Sequence, residues 1–263
     1  MTAVWTIMKK EWLEIRKNKL ILSVVVLLPL IMVVIPIVML AIMGNVPVSQ
    51  SDYEEMAAML RNPIFAGLTP EEGLQSAMAS NFLVLFLMMP LMVPVTIAAY
   101  SIVGEKVTRS LEPLLATPVS TAQLLLGKGL AAALPGVLTA WLSYAIFLVF
   151  ARIFAVSDRV FEIFTNPMWL IAQLVLAPLL TLLAVNIGII VSSRTSDPRA
   201  AEQLGGLVIL PLMVLFIGPM AGFIQLNALT FWITSGIALA LGLITLYLAV
   251  QLFQRETILT RWK

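Results

Sequence analysis

Long apolar runs without charge alternate with short charged segments along this chain, and the runs suit membrane crossings better than the core elements of a soluble domain. Residues 20–43 form the first run, roughly 36 Å long as a helix, enough to cross a bilayer with some tilt. Further runs cover 81–103, 129–151 and 168–192. The stretch 203–254 is too long for one crossing, and Gly218-Pro219, Gly222, Gln225 and Asn227 interrupt it, which predicts spans over 204–217 and 231–253. The first of these two is short and leaves room for the break to dip into the membrane. The expected fold is an all-α membrane protein with six transmembrane helices, one domain over residues 1–263.

Charge placement sets the orientation. Of the 16 lysines and arginines, only Arg61, Arg152 and Arg159 fall on one side of a six-span arrangement, and the other 13 fall on the opposite side, while the 14 acidic residues divide evenly. Cytoplasmic loops carry the excess of lysine and arginine, so both termini are expected in the cytoplasm and the protein in the cell (plasma) membrane. A cleaved leader is the competing reading of residues 20–43, but that run exceeds the usual leader core and the cleavage pattern around Ala41 and Gly44 is poor.

The connections carry more pattern than simple turns need. In residues 1–19, Trp5, Met8, Trp12 and Ile15 share one helical face and Lys9, Lys10 and Glu14 lie elsewhere, which predicts a helix in the headgroup region; a plain basic anchor is the alternative. The external loop 44–80 is acidic, with Ser51/Glu54 and Thr69-Pro70-Glu71-Glu72 patterned as helix starts. That acidity fits either solvation or a vestibule that attracts cations. Pro90 and Pro94 should kink the second span and Pro178 the fourth. Small residues four apart, Gly236/Ala240 and Ala238/Gly242, permit close contact along the sixth.

The cytoplasmic segment 104–128 reads as helix, break, helix. Thr117-Pro118 ends the first piece and Ser120/Gln123 is a capping box for the second. Leu111, Leu114 and Leu115 cluster near its tip, where they can enter a groove on a soluble partner, bury against the bundle or lie among headgroups.

Composition narrows the chemistry. Apolar residues make up 60% of the chain and charged residues 11%, with no cysteine or histidine, so disulfides and the commonest metal ligands are absent. The thirty charged residues all lie outside the charge-free runs, which counts against a proton- or ion-coupled secondary transporter. No G-x-x-x-x-G-K-[ST] sequence occurs, since Gly127-Lys128 is followed by Gly129 and lacks the earlier glycine. No paired carboxylates or Ser/His set suggests hydrolysis, and no catalytic or metal-binding residue is assigned.

Segment 104–128 resembles the elbow of ABC-2 type permeases, the membrane subunits of ATP-binding-cassette exporters. The matching residues are Glu105, Leu111, Glu112, Leu114, Leu115, Thr117, Pro118, Val119, Ser120, Leu125, Leu126, Gly127 and Lys128; Arg109-Ser110 stands where the family often has Gly-Thr. Residues 192–203 and the C-terminal FQRETILTRWK are similar to the second cytoplasmic loop and tail of such permeases, so the resemblance covers nearly the whole chain. It implies an exporter permease rather than an enzyme. Two copies, or a copy and a paralogue, would pair, each bound by a separate cytoplasmic ABC ATPase that holds ATP and Mg, with no cofactor in this chain.

The same resemblance implies a coupling helix with Glu105, Arg109, Leu111, Glu112, Leu114, Leu115, Thr117 and Pro118 in the ATPase-docking surface, the N-terminal helix beside it, and short re-entrant external helices between spans five and six. The bilayer is the remaining partner, and nucleic acid is not expected. An uncharged interior favours an apolar or amphipathic cargo such as a drug, lipid or peptide, with Met88, Met89, Met92, Met213 and Phe216 as candidate lining residues. Sodium export, with Asn186 or threonines as ligands, and a non-transporting scaffold or scramblase subunit are the alternatives.

Overall fold

A computed structural model describes residues 2–43, 49, 51, 54, 60–107 and 119–252. The described residues form helices and turns with no strand. Seven long helices follow in order: α1 Thr2–Lys17, α2 Lys19–Met43, α3 Pro70–Val107, α4 Thr121–Phe154, α5 Asp158–Arg194, α6 Pro198–Met220 and α7 Ala228–Leu252. The last six are long and apolar enough to cross a membrane.

Several helices outrun the charge-free stretches because polar residues cap them beyond the apolar part. Thr69 and Ser120 each form a full capping box at the start of α3 and α4. Ser157 and Asp197 cap α5 and α6, and Asn18 turns the chain from α1 into α2 by accepting the Leu20 N–H at 3.0 Å. Side-chain acceptors of this kind satisfy amides that a helix start leaves open. The fifth span is therefore 23 residues long, not the short 204–217 segment. The connection 221–227 is a turn with Gly222 at φ 74° and contains no helix, so the short helices expected between spans five and six are not there. The two flanking helices take up the apolar sequence that would have formed them.

The prolines act one turn ahead of themselves. Missing its N–H, Pro90 leaves the Phe86 carbonyl without its usual donor, and a 3-10 turn occupies Phe86–Met88. Pro178 follows a π-helical turn over Ala172–Leu176. These irregular turns stand beside two of the three prolines named from the sequence, while α-helix continues through Pro94.

The centre of the fold is α3. In its apolar stretch 78% of the residues are buried within the protein, against 17% for α2 and 22% for α7, whose outward faces are left to lipid or a partner. Close approach makes this possible: a Cβ at Gly136 of α4, Gly188 of α5 or Gly205 of α6 would sit 2.6–2.8 Å from Pro94, Ala98 or Val95 of α3. The main core lies in the half of the bundle around Phe86, Phe147, Phe164 and Trp169, with edge-to-face rings in contact. Asn186 clamps α5 to α7, its amide donating to the Gly242 carbonyl at 2.9 Å and to Thr245 at 3.3 Å.

Candidate functional site

Where α3 leaves the bundle and α4 enters it, four charges from three helices meet. Helix α1 lies against α4 because position 127 has no side chain: a Cβ there would come within 2.7 Å of Ile7 Cγ2. Ile7, Met8 and Ile15 are buried on this face, and Glu11 is buried among them. Trp12 fixes the crossing by donating its indole N–H to the Ala131 carbonyl of α4 at 3.2 Å.

This contact brings Glu11 to Lys128, Nζ to Oε1, at 2.7 Å. Lys128 also reaches Glu105 Oε2 at 2.9 Å and donates to Ser101 Oγ at 2.8 Å. Lys10 closes the ring, 2.5 Å from Glu105 Oε1 and 3.3 Å and 3.8 Å from Glu14 and Glu11. Glu11, Glu105 and Lys128 are buried, while Lys10 stays part-exposed. Lys128 within the buried set and Lys10 at its solvent side together balance Glu11 and Glu105, the condition under which buried charge is tolerable.

The charges tune one another. Burial pushes the Glu11 carboxyl up, but the Lys128 charge, hydrogen bonds from Lys128 and Ser101 and the Lys10 charge outweigh it and hold Glu11 below the ordinary carboxylate value. Burial lowers Lys10, yet the hydrogen bond and charge of Glu105, with Glu11 and Glu14 nearby, leave it above the ordinary lysine value. Both groups are thus held in their charged forms.

The next residue along α3 faces another way. The Lys106 ammonium donates to the carbonyls of Ser192, Ser193 and Thr195, at 3.1, 2.7 and 3.0 Å, at the end of α5. A lysine there satisfies acceptors that a helix end leaves open and complements its dipole. Further up α3, Thr96 donates to Glu202 Oε1 of α6 at 2.8 Å. Glu202 thus reaches a residue inside the 81–103 run, although its own position lies outside every charge-free run.

Of the sequence-predicted docking residues, the structure brings Glu105 into this cluster. Arg109, Leu111, Glu112, Leu114, Leu115, Thr117 and Pro118 lie outside the described residues. Among the lining candidates, Met89 is fully buried in the core, and Met88, Met92, Met213 and Phe216 are half-buried. Glu11, Lys10 and Ser101 were not singled out from the sequence, nor was Lys128 given a role. One signal was available: Glu11 follows Met8 by three and precedes Ile15 by four, a carboxylate in the middle of an apolar helical stripe.

Glu105, Gly127 and Lys128, spread over both ends of the elbow motif, thus meet around one ion pair, with Gly127 admitting the helix that completes it. Among curated proteins, sequence comparison finds no match to the chain. Residues 5–257, nearly all of it, match the family model described as ABC-2 family transporter protein, and the chain belongs to that family of membrane transporter permeases.

Proposed function

We propose that the protein is the permease subunit of an ATP-driven exporter, forming the translocation pathway as a dimer with itself or a paralogue. Separate cytoplasmic ABC ATPase chains would bind ATP and Mg and dock on the 104–118 segment, with α1 lying in the headgroup layer beside it. Both termini would face the cytoplasm and the protein would sit in the plasma membrane. The cargo would be apolar or amphipathic, contacted by Met88, Met92, Met213 and Phe216, while Met89 shapes the wall from within the core.

The observation that carries this reading is the Glu105–Lys128 pair. It ties the two roots of the elbow to each other, and Glu11 ties both to α1. A displacement imposed on the elbow by a closing ATPase would be passed to α3 and α4 together. Co-purification tests the docking: a stoichiometric ATPase partner should be lost from the Leu114→Asp/Leu115→Asp double variant, and its undiminished retention would refute the assignment. Vanadate-sensitive uptake into inside-out vesicles holding both subunits distinguishes a pump from a scaffold.

A further inference from the structure

At the opposite end of the bundle, the loop before α3 and the turn between α6 and α7 enclose a cavity of about 250 Å³. Arg61, Asn62, Phe223, Ile224, Gln225 and Leu226 line it. The two walls are clipped together: the Asn62 amide donates to the Leu226 carbonyl at 3.1 Å, and its Oδ1 accepts the Ile64 N–H that starts the 3-10 helix Pro63–Phe65. One hydrogen bond between segments far apart in the chain therefore joins the two walls of the cavity.

Three arginines fall on this side of the protein. Arg152 is paired with Asp158 and lies over the Phe161 ring, and Arg159 donates to the Gly67 carbonyl at 3.3 Å. Arg61, the one on the cavity, has no hydrogen-bond or ion-pair partner among the described residues. A guanidinium fork with its donors open selects planar or tetrahedral oxyanions, with phosphate prominent among them.

The surroundings say where such an anion comes from. Phe223 stands at the rim 87% exposed, a large apolar ring that insertion among acyl chains would cover. On the helices that flank the turn, Ile217 and Met220 of α6 and Leu229, Trp232 and Ile233 of α7 are exposed. A ligand with an anionic head in the cavity and acyl chains against the exposed apolar side chains of these helices satisfies both features at once. We propose that Arg61 and this cavity bind the phosphodiester of a phospholipid headgroup. The outward address of the site rests on the sidedness proposed above; the phosphate chemistry rests on the cavity and Arg61 alone.

The full chain, purified in detergent and depleted of lipid, is titrated with phosphatidylglycerol, with diacylglycerol of the same chain length and with inorganic phosphate, and bound mass is read by native mass spectrometry. Wild type should take up one phosphatidylglycerol that Arg61→Gln binds about tenfold more weakly. Arg61→Lys should fall between them because charge survives and the fork does not. Arg159→Gln should match wild type, and Asn62→Ala should weaken binding by loosening the wall without removing charge. Equal loading by diacylglycerol, or undiminished binding by Arg61→Gln, would overturn the site. Displacement of the lipid by inorganic phosphate at similar concentration would overturn the headgroup assignment in favour of a soluble anion. The chain has no cysteine, so labelling Phe223→Cys with an impermeant maleimide on intact cells tests sidedness separately.

Discussion

The two ends of α3 are held by different chemistry. At one end Gln75, fully buried, uses a neutral amide: its nitrogen donates to the carbonyls of Leu40 and Phe154 at 3.0 and 3.1 Å, and its oxygen accepts the Val156 N–H at 3.0 Å. Those groups belong to the ends of α2 and α4, where backbone acceptors lose their helical donors. At the other end Glu105 sits in a ring of charges with Lys10, Lys128 and Glu11. The amide has one geometry, and every bond it makes is directional. The ionic ring has several, because Lys10 faces three carboxylates at 2.5–3.8 Å and can shift among them while staying paired. A pinned end and an adjustable end on one buried helix describe a pivot and a movable joint, with the joint next to the proposed ATPase contact.

Substitutions at the two ends should behave differently. The largest effect is expected from Lys128→Met, which removes the buried cation between Glu11 and Glu105, leaves only the part-exposed Lys10 beside them and should cost about 3–5 kcal/mol of stability. Thermal unfolding in detergent reads this directly, and adding Glu11→Gln to Lys128→Met should recover part of the loss. If Lys128→Met melts like wild type, the ring is not a buried pair.

Gln75→Leu removes three hydrogen bonds and leaves backbone groups unsatisfied, for about 3 kcal/mol. Its cost should be the same in 50 mM and 500 mM salt, since no charge is involved. A strongly salt-dependent loss would erase the contrast between the ends.

The acid and alkaline limits sharpen the comparison further. Glu11 is held below its ordinary 4.5, so its stabilisation is present above that value and lost as pH falls through the lower folded value. Lys10 is held above its ordinary 10.5, so its contribution is complete below that value and lost as pH rises through the folded one. The contributions of Glu11 and Lys10 should be constant between these limits, and Glu11→Gln should shallow the acid limb while Gln75→Leu leaves its shape unchanged. The smallest effect is expected from Lys10→Gln, below about 1 kcal/mol, because the side chain is part-exposed and screened.

Local signals were well legible in the sequence. The capping boxes at Thr69 and Ser120 depend on residues three apart, and both helix starts are where those residues put them. Apolar run lengths set the six long helices, and the prolines marked the 3-10 and π turns. What could not be read was pairing between helices. Glu11 meets Lys128 only because α1 comes close over Gly127, and Gln75 finds its acceptors only because two other helices end beside it. Glu105 could be picked out through its motif, but its motif does not name Lys10. The bland-looking turn 221–227 hid the cavity for the same reason, since Arg61 and Asn62 arrive from far away in the chain.

Glu105 and Lys106 are neighbours, yet they grip opposite flanks: one holds α1 and α4, the other the last carbonyls of α5. A single peptide unit thus acts as a yoke. In the proposed mechanism, a pull arriving through residues 108–118 would divide at that point and reach both sides of the bundle in the same stroke, so the walls on either flank would travel as one rather than in succession.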